Sequence, residues 1–165
     1  MTVLRLQSSQ DVVAAVGSMH AAAHRTITPA QIASFTRAVT LVPGPAGDSP
    51  PTEGGPMPAI VPDFLLVSLA PGILREVFDL SAVAVGGNYG VNRVEILRPC
   101  PVGSRLACTV QVGDVLSVAD GVRMEVSYSF RLDGCRDGTQ DLCAVTMVHQ
   151  LHFAASTRQE AGRDG

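Results

Sequence analysis

Two hydrophobic periods divide the chain. From residue 29 to 39 the apolar positions Ile32, Phe35 and Val39 fall at i, i+3 and i+7, one face of a helix. Beyond residue 82 the period changes to two. Leu106, Cys108, Val110 and Val112 point one way in one segment, and Met124, Val126, Tyr128 and Phe130 do so in the next. Alternation of this kind predicts an antiparallel sheet with one covered face, with strands near 83–89, 91–97, 105–118, 122–132 and 142–153. Asp120-Gly121 and the cluster at 133–138 are turn signals between them.

The first helix has a marked start. Thr28 is placed to cap it, Pro29 suits the first helical position, and Gln31 completes a capping box. Upstream lies an apolar stretch at 12–16, then Gly17, then a segment at 19–27 that reads as a strand. A second helix follows Pro62, with Asp63 as its expected N-cap. Its residues 64–70 are apolar nearly all round, so it should be buried on most sides. Pro71-Gly72 is expected to kink or break it, with 73–78 as a continuation. Between the helices, residues 41–59 hold six prolines and four glycines, a density no regular element survives. A loop of that length in a compact domain is commonly functional or disordered. The expected architecture is α+β: one domain over 1–155 in which a long sheet curls around an apolar helix, then a polar tail at 156–165.

Composition narrows the function classes. Apolar residues make up 46% of the 165 and charged residues 16%, which excludes a disordered chain and points to apolar surface covered by a partner subunit. The net charge is −3, and the 12 basic residues are all arginines scattered along the chain, so no basic footprint for nucleic acid exists. The longest stretch free of Asp, Glu and Arg is 16 residues, at 142–157, short of the roughly 20 that a membrane helix needs. With no apolar signal segment behind Arg5, a cytoplasmic location is expected. The four cysteines have neither C-x-x-C nor zinc spacing and read as reduced thiols. No phosphate-binding, dinucleotide or metal signature occurs, and no cofactor is expected.

Three stretches resemble the MaoC-like hydratase/dehydratase family. Arg25-Thr26-Ile27-Thr28-Pro29-Ala30-Gln31-Ile32-Ala33-Ser34-Phe35 is similar to its first helix and the strand before it. Ala59-Ile60-Val61-Pro62-Asp63-Phe64-Leu65-Leu66 resembles the start of its central helix. The strongest is Asn88-Tyr89-Gly90-Val91-Asn92-Arg93-Val94-Glu95-Ile96-Leu97-Arg98-Pro99-Cys100-Pro101-Val102-Gly103-Ser104-Arg105-Leu106, similar to its N-Y-G strand and the P-V-x-x-G connection that follows. The resemblance implies a hotdog fold, a sheet wrapped around a central helix, in a homodimer. It also implies water addition or removal across an enoyl or β-hydroxyacyl thioester of CoA or acyl carrier protein.

In that family an Asp and a His in a G-D-x-N-P-x-H motif hold the water and move the proton, as general acid–base catalysis requires. The thioester oxygen meets backbone N–H groups at the central helix N-terminus. This chain departs at both places. Its nearest match is Gly47-Asp48-Ser49-Pro50-Pro51-Thr52-Glu53, where Asp48 fits the Asp and Glu53 stands in place of the His. At the helix start the usual His-Gly becomes Pro62-Asp63. The catalytic candidates are therefore Asp48, Glu53 and Asp63, with Phe64, Ser68, Asn88 and Tyr89 as substrate-binding candidates. Simpler roles stand beside these: solvated loop acids for Asp48 and Glu53, a helix cap for Asp63, and a hydrogen bond to helix backbone for Ser68.

The family register also puts His20 and His24 on a strand, about 13 Å apart, as edge histidines rather than metal ligands. His149 and His152 differ by an odd number, so at most one faces a pocket. The leading expectation is a MaoC-like lyase. A cyclase or isomerase with a remodelled acid-based site, and a non-catalytic acyl-binding subunit of a heterodimer, are the alternatives.

Overall fold

The computed structural model describes residues 3–39, 60–133 and 141–153. In chain order the elements are β1 (Leu4–Arg5), α1 (Ser9–Ala14), β2 (Met19–Ala21), β3 (Arg25–Thr26), α2 (Pro29–Val39), α3 (Asp63–Val77), β4 (Phe78–Asp79), β5 (Val83–Ile96), β6 (Arg105–Val118), β7 (Gly121–Leu132) and β8 (Asp141–Phe153). The main sheet runs β2-β6-β7-β8-β5, with β3 also paired to β6, and every pairing in it is antiparallel. A parallel pair, β1 with β4, ties the N-terminus to the end of α3.

Alternation in the three long central strands sets the core. Val110, Tyr128 and Val145 form one row across β6, β7 and β8; Val112, Val126 and Met147 form the next; Cys108, Phe130 and Cys143 form a third. All nine are buried, and α3 lies against this face with Leu65, Leu66, Val67, Ala70, Ile73, Leu74 and Val77 buried. Apolar residues thus cover most of the helix circumference, as its sequence implies. Truncating a side chain such as Leu66 to Ala should cost about 2–5 kcal/mol, from lost transfer energy and the cavity left behind.

The capping box forms as expected. Gln31 N–H donates to Thr28 Oγ1 at 3.3 Å, and Thr28 N–H donates to Gln31 Oε1 at 2.9 Å. On α2, Ile32 is buried and Phe35 packs against the core, whereas Val39 is exposed.

The apolar stretch at 12–16 takes in the last turn of α1, which Ser8 caps through an Oγ that accepts from Asp11 N–H, and the turn after it; the chain turns at Gly17 (φ 80°), where a β-carbon would be strained. Three local expectations are corrected. The segment at 19–27 is two short strands, β2 and β3, rather than one. Helix α3 runs unbroken through Pro71 and Gly72; burial against the sheet holds it although Pro71 has no N–H to give. Asp63 is its first helical residue, and Pro62 takes the cap position with no side-chain bond.

The strands predicted at 83–89 and 91–97 are one strand, β5. Gly90 does not end it. The ladder to β8 shifts register between Asn88 and Gly90 and again between Val91 and Arg93, so β5 bulges and continues. Among the described residues its other edge is unpaired, and it exposes Val85, Tyr89, Val91 and Ile96.

Candidate active site

A cavity of about 430 Å³ opens at the N-terminus of α3, lined by Ile60, Val61, Pro62, Asp63 and the segment from Ile96 to Pro99. The local backbone explains the placement. Val61 N–H donates to Cys100 O at 2.8 Å, and Ile60 bridges Pro101, so the chain entering α3 is stitched to the chain leaving β5. Asp63 follows at once, in the first turn, where the helix dipole favours a carboxylate and the first backbone N–H groups lack helical acceptors. Arg98 lines the same cavity and has no ion-pair partner among the described residues. Three apolar lining residues, Ile60, Ile96 and Leu97, are exposed.

Asp63 also acts on nearby thiols. Burial raises Cys100, and the Asp63 charge raises it further; the same two causes push Cys143 up to about 11. Cys108 is pushed up to about 12, chiefly by burial. These three remain protonated thiols near neutral pH, packed as small apolar groups rather than poised as nucleophiles.

The other candidates do not gather at this cavity. Ser68 is exposed, and its hydroxyl donates to Leu65 O at 2.7 Å, the backbone use open to a helical serine. Phe64 stands 65% exposed beside Asp63. Tyr89 lies on the outer face, with the Arg123 guanidinium 3.6 Å from its ring centre. Asn88 pairs with His149 across the β5–β8 ladder and faces a second cavity, beside the C-terminal half of α3. Asp48 and Glu53 lie outside the described residues, as do the tail at 156–165 and nearly all of the turn at 133–138.

The histidines sort by face. His149 is buried and sits 2.8 Å, through Nε2, from the Tyr128 hydroxyl; burial pushes its pKa down to about 4. His152 faces the other way, beside Gln150 Nε2 at 2.7 Å and Asp120 O at 3.0 Å. His20 Nε2 lies 2.9 Å from Ser18 Oγ, while His24 Nδ1 lies 2.9 Å from Asp133 Oδ2. They do not converge, and among the described residues no three His, Cys, Asp or Glu side chains gather as a metal site. Sequence reasoning missed Arg98 as a site residue. Its signal was position: it follows β5 directly, on the connection that packs against the start of α3.

No family model matches the chain. Over 72 residues it is 31% identical to the 3-hydroxyacyl-thioester dehydratase Z of Mycobacterium tuberculosis, a match covering 43% of this chain and 48% of that protein. The matched region therefore spans about half the length of that relative. Among solved structures, the monoamine oxidase regulatory protein of an Archaeoglobus species superposes with a TM-score of 0.61 at 15% identity, over 93% of this chain and 99% of that one. The R-hydratase PhaJ1 of Pseudomonas aeruginosa gives 0.58 at 13% identity, over 84% and 83%. These likenesses show the fold: a long antiparallel sheet wrapped around one apolar helix.

Proposed function

We propose that this hotdog-fold chain, which resembles the MaoC-like hydratase/dehydratase family, is a lyase that adds or removes water across the 2,3-bond of an enoyl or 3-hydroxyacyl thioester of CoA or acyl carrier protein. The observation that carries this reading is the cavity at the start of α3, where Asp63 and Arg98, which has no ion-pair partner among the described residues, meet apolar walls at a helix N-terminus that has no side-chain cap. The partial match to a 3-hydroxyacyl-thioester dehydratase supports the substrate class.

In the hydration direction, a carboxylate takes a proton from water as the oxygen bonds to the β-carbon. The π electrons move toward the thioester oxygen, where first-turn N–H groups of α3 offset the developing charge. A protonated acid then delivers a proton to the α-carbon, so one water is consumed and one hydroxyacyl thioester forms. Asp48 is the proposed base, with Glu53 or Asp63 as its acid partner. Arg98 at the mouth suits the phosphates of a CoA or carrier-protein arm. Phe64 offers apolar surface to the acyl chain, and Ser68, Asn88 and Tyr89 are retained as binding candidates by resemblance alone.

The open edge of β5, with its exposed Val85, Tyr89 and Val91, fits pairing with a second copy in a homodimer. A cytoplasmic setting suits a substrate on CoA or a carrier protein, and no described helix is long and apolar enough to cross a membrane. Val85→Arg should convert a dimer to a monomer in sedimentation velocity; an unchanged mass excludes this edge as the interface.

Hydration of crotonyl-CoA, followed by loss of enoyl-thioester absorbance, tests the reaction. Turnover in the wild type, with losses on the order of 100-fold in Asp48→Asn, Glu53→Gln or Asp63→Asn, is the expected result. Absence of turnover in the wild type overturns the hydratase reading for this substrate class and turns the search to cyclase, isomerase or acyl-binding roles.

A further inference from the structure

The second cavity, about 270 Å³, lies beside the C-terminal half of α3 and shares no lining residue with the cavity at Asp63. Asp63 and Arg75 are twelve residues apart on the helix, about 18 Å along its axis. Leu74, Leu80 and Leu151 give the second cavity apolar walls; Arg75, Asn88 and His149 give it polar groups, and among the described residues no acidic side chain lines it.

The proton positions in this cavity follow from hydrogen-bond bookkeeping. Tyr128 is 1% exposed, and among the described residues its hydroxyl has one hydrogen-bond partner, His149 Nε2 at 2.8 Å. If Nε2 carried a proton, the hydroxyl hydrogen would be stranded in the core at a cost of about 1–3 kcal/mol. Tyr128 therefore donates and Nε2 accepts. In the neutral ring the proton sits on Nδ1. Although His149 is only 2% exposed, among the described residues its Nδ1 has no partner and is not one of the sealed, unpaired polar atoms, a set that holds Arg25 Nε alone. It thus opens onto the cavity that the ring lines. Asn88 and Arg75 likewise have no side-chain hydrogen bond or ion pair among the described residues.

Two of the groups left open here, a fixed N–H and a guanidinium, are donors only, and the Asn88 amide can donate as well as accept. We infer that this cavity is a second binding site, for a small carboxylate with an apolar body, whose oxygen accepts from His149 Nδ1–H while Arg75 supplies charge at the rim. The volume equals roughly nine waters, which matches an acid of about six carbons.

Hexanoate is the probe, titrated into the full-length protein while the histidine imidazole signals are followed by NMR. A saturable shift of the His149 signal is expected. Binding, followed by broadening of the hexanoate's own signals, should be lost in His149→Gln, and it should weaken roughly tenfold in Arg75→Gln and for hexanamide in place of hexanoate. Arg75 is exposed, so its variant keeps the fold even if a His149 variant does not. No saturable shift overturns the site; equal affinity for hexanamide, or undiminished binding in Arg75→Gln, overturns the carboxylate assignment. The readout involves no turnover, so it stands or falls apart from the lyase reading.

Discussion

Tyr128 and His149 are joined by the hydrogen bond from the tyrosine hydroxyl to Nε2, at 2.8 Å, inside the sheet's covered face. Burial keeps the imidazole neutral by lowering its pKa from 6.5 to about 4. The sign of the pH dependence follows. Between these values the unfolded chain binds the proton and the folded chain does not, so stability rises with pH in that window. The contribution is fully present above pH 6.5 and is lost as pH falls toward 4. Down to pH 5 the loss is about 2 kcal/mol. Urea unfolding at a series of pH values should show this slope in the wild type and a flatter one in Tyr128→Phe/His149→Leu, which has no imidazole to protonate. Equal slopes would show that His149 titrates normally in the folded protein.

A second relationship ties the region before α2 to the end of α3. Arg25 on β3 donates from a terminal guanidinium nitrogen to Glu76 Oε2 at 2.6 Å, while its Nε is sealed from solvent without a partner. Glu76→Ala removes the acceptor and leaves a largely buried cation worse satisfied, so it should cost about 1–2 kcal/mol. Glu76→Gln, which keeps an acceptor oxygen, should cost less. Replacing both partners, in Arg25→Met/Glu76→Ala, should recover part of the loss, because the stranded guanidinium is gone. Denaturation midpoints of the three variants decide it: no recovery in the double variant would mean that packing of the Arg25 stem matters more than its charge.

What was legible in the sequence was local or strictly periodic. The Thr28–Gln31 box involves residues three apart, and the alternation at Leu106–Val112 and Met124–Phe130 needs only a covered face; both elements formed as read. Asp63 was legible as a residue at a helix start, and it lines a cavity there. Pro71 misled because local chemistry argues for a break, whereas burial on most sides stabilises the unbroken helix. Gly90 misled in the same way: β8 continues alongside, so the ladder absorbs the irregularity as a bulge. The His149–Tyr128 pair was not legible, because 21 residues and a strand reversal separate the two, and in the ladder they stand four positions apart, opposite Met124 and Val145.

The capping box gives a direct stability test. Thr28→Ala removes the acceptor for Gln31 N–H and should lower stability by about 1 kcal/mol. Gln31→Ala strands Thr28 N–H, which is exposed to water, and should cost less. Because the two bonds are reciprocal, the double variant should lose less than the sum of the singles. Additive losses would indicate that the two bonds act separately.

Two glycines should respond in opposite directions to the same substitution. Gly72 lies inside α3, is exposed, and a β-carbon built there meets nothing within 4 Å. Gly72→Ala therefore adds a better helix former and restricts the unfolded chain, and it should stabilise by about 0.5–1 kcal/mol. Gly121 opens β7 after the tight turn from β6. A β-carbon there would run into Leu151 O, and this neighbour is backbone that cannot rotate away. The β7–β8 ladder places Gly121 opposite His152 and Val122 opposite Leu151, so the strands must separate at this end if the methyl is to fit. Gly121→Ala should cost more than about 2 kcal/mol, a size reserved for overpacking and comparable steric conflict. Thermal unfolding of both variants beside the wild type reads the two signs in one experiment. A neutral Gly121→Ala would mean that the β6–β7 turn shifts to open the strand end without loss.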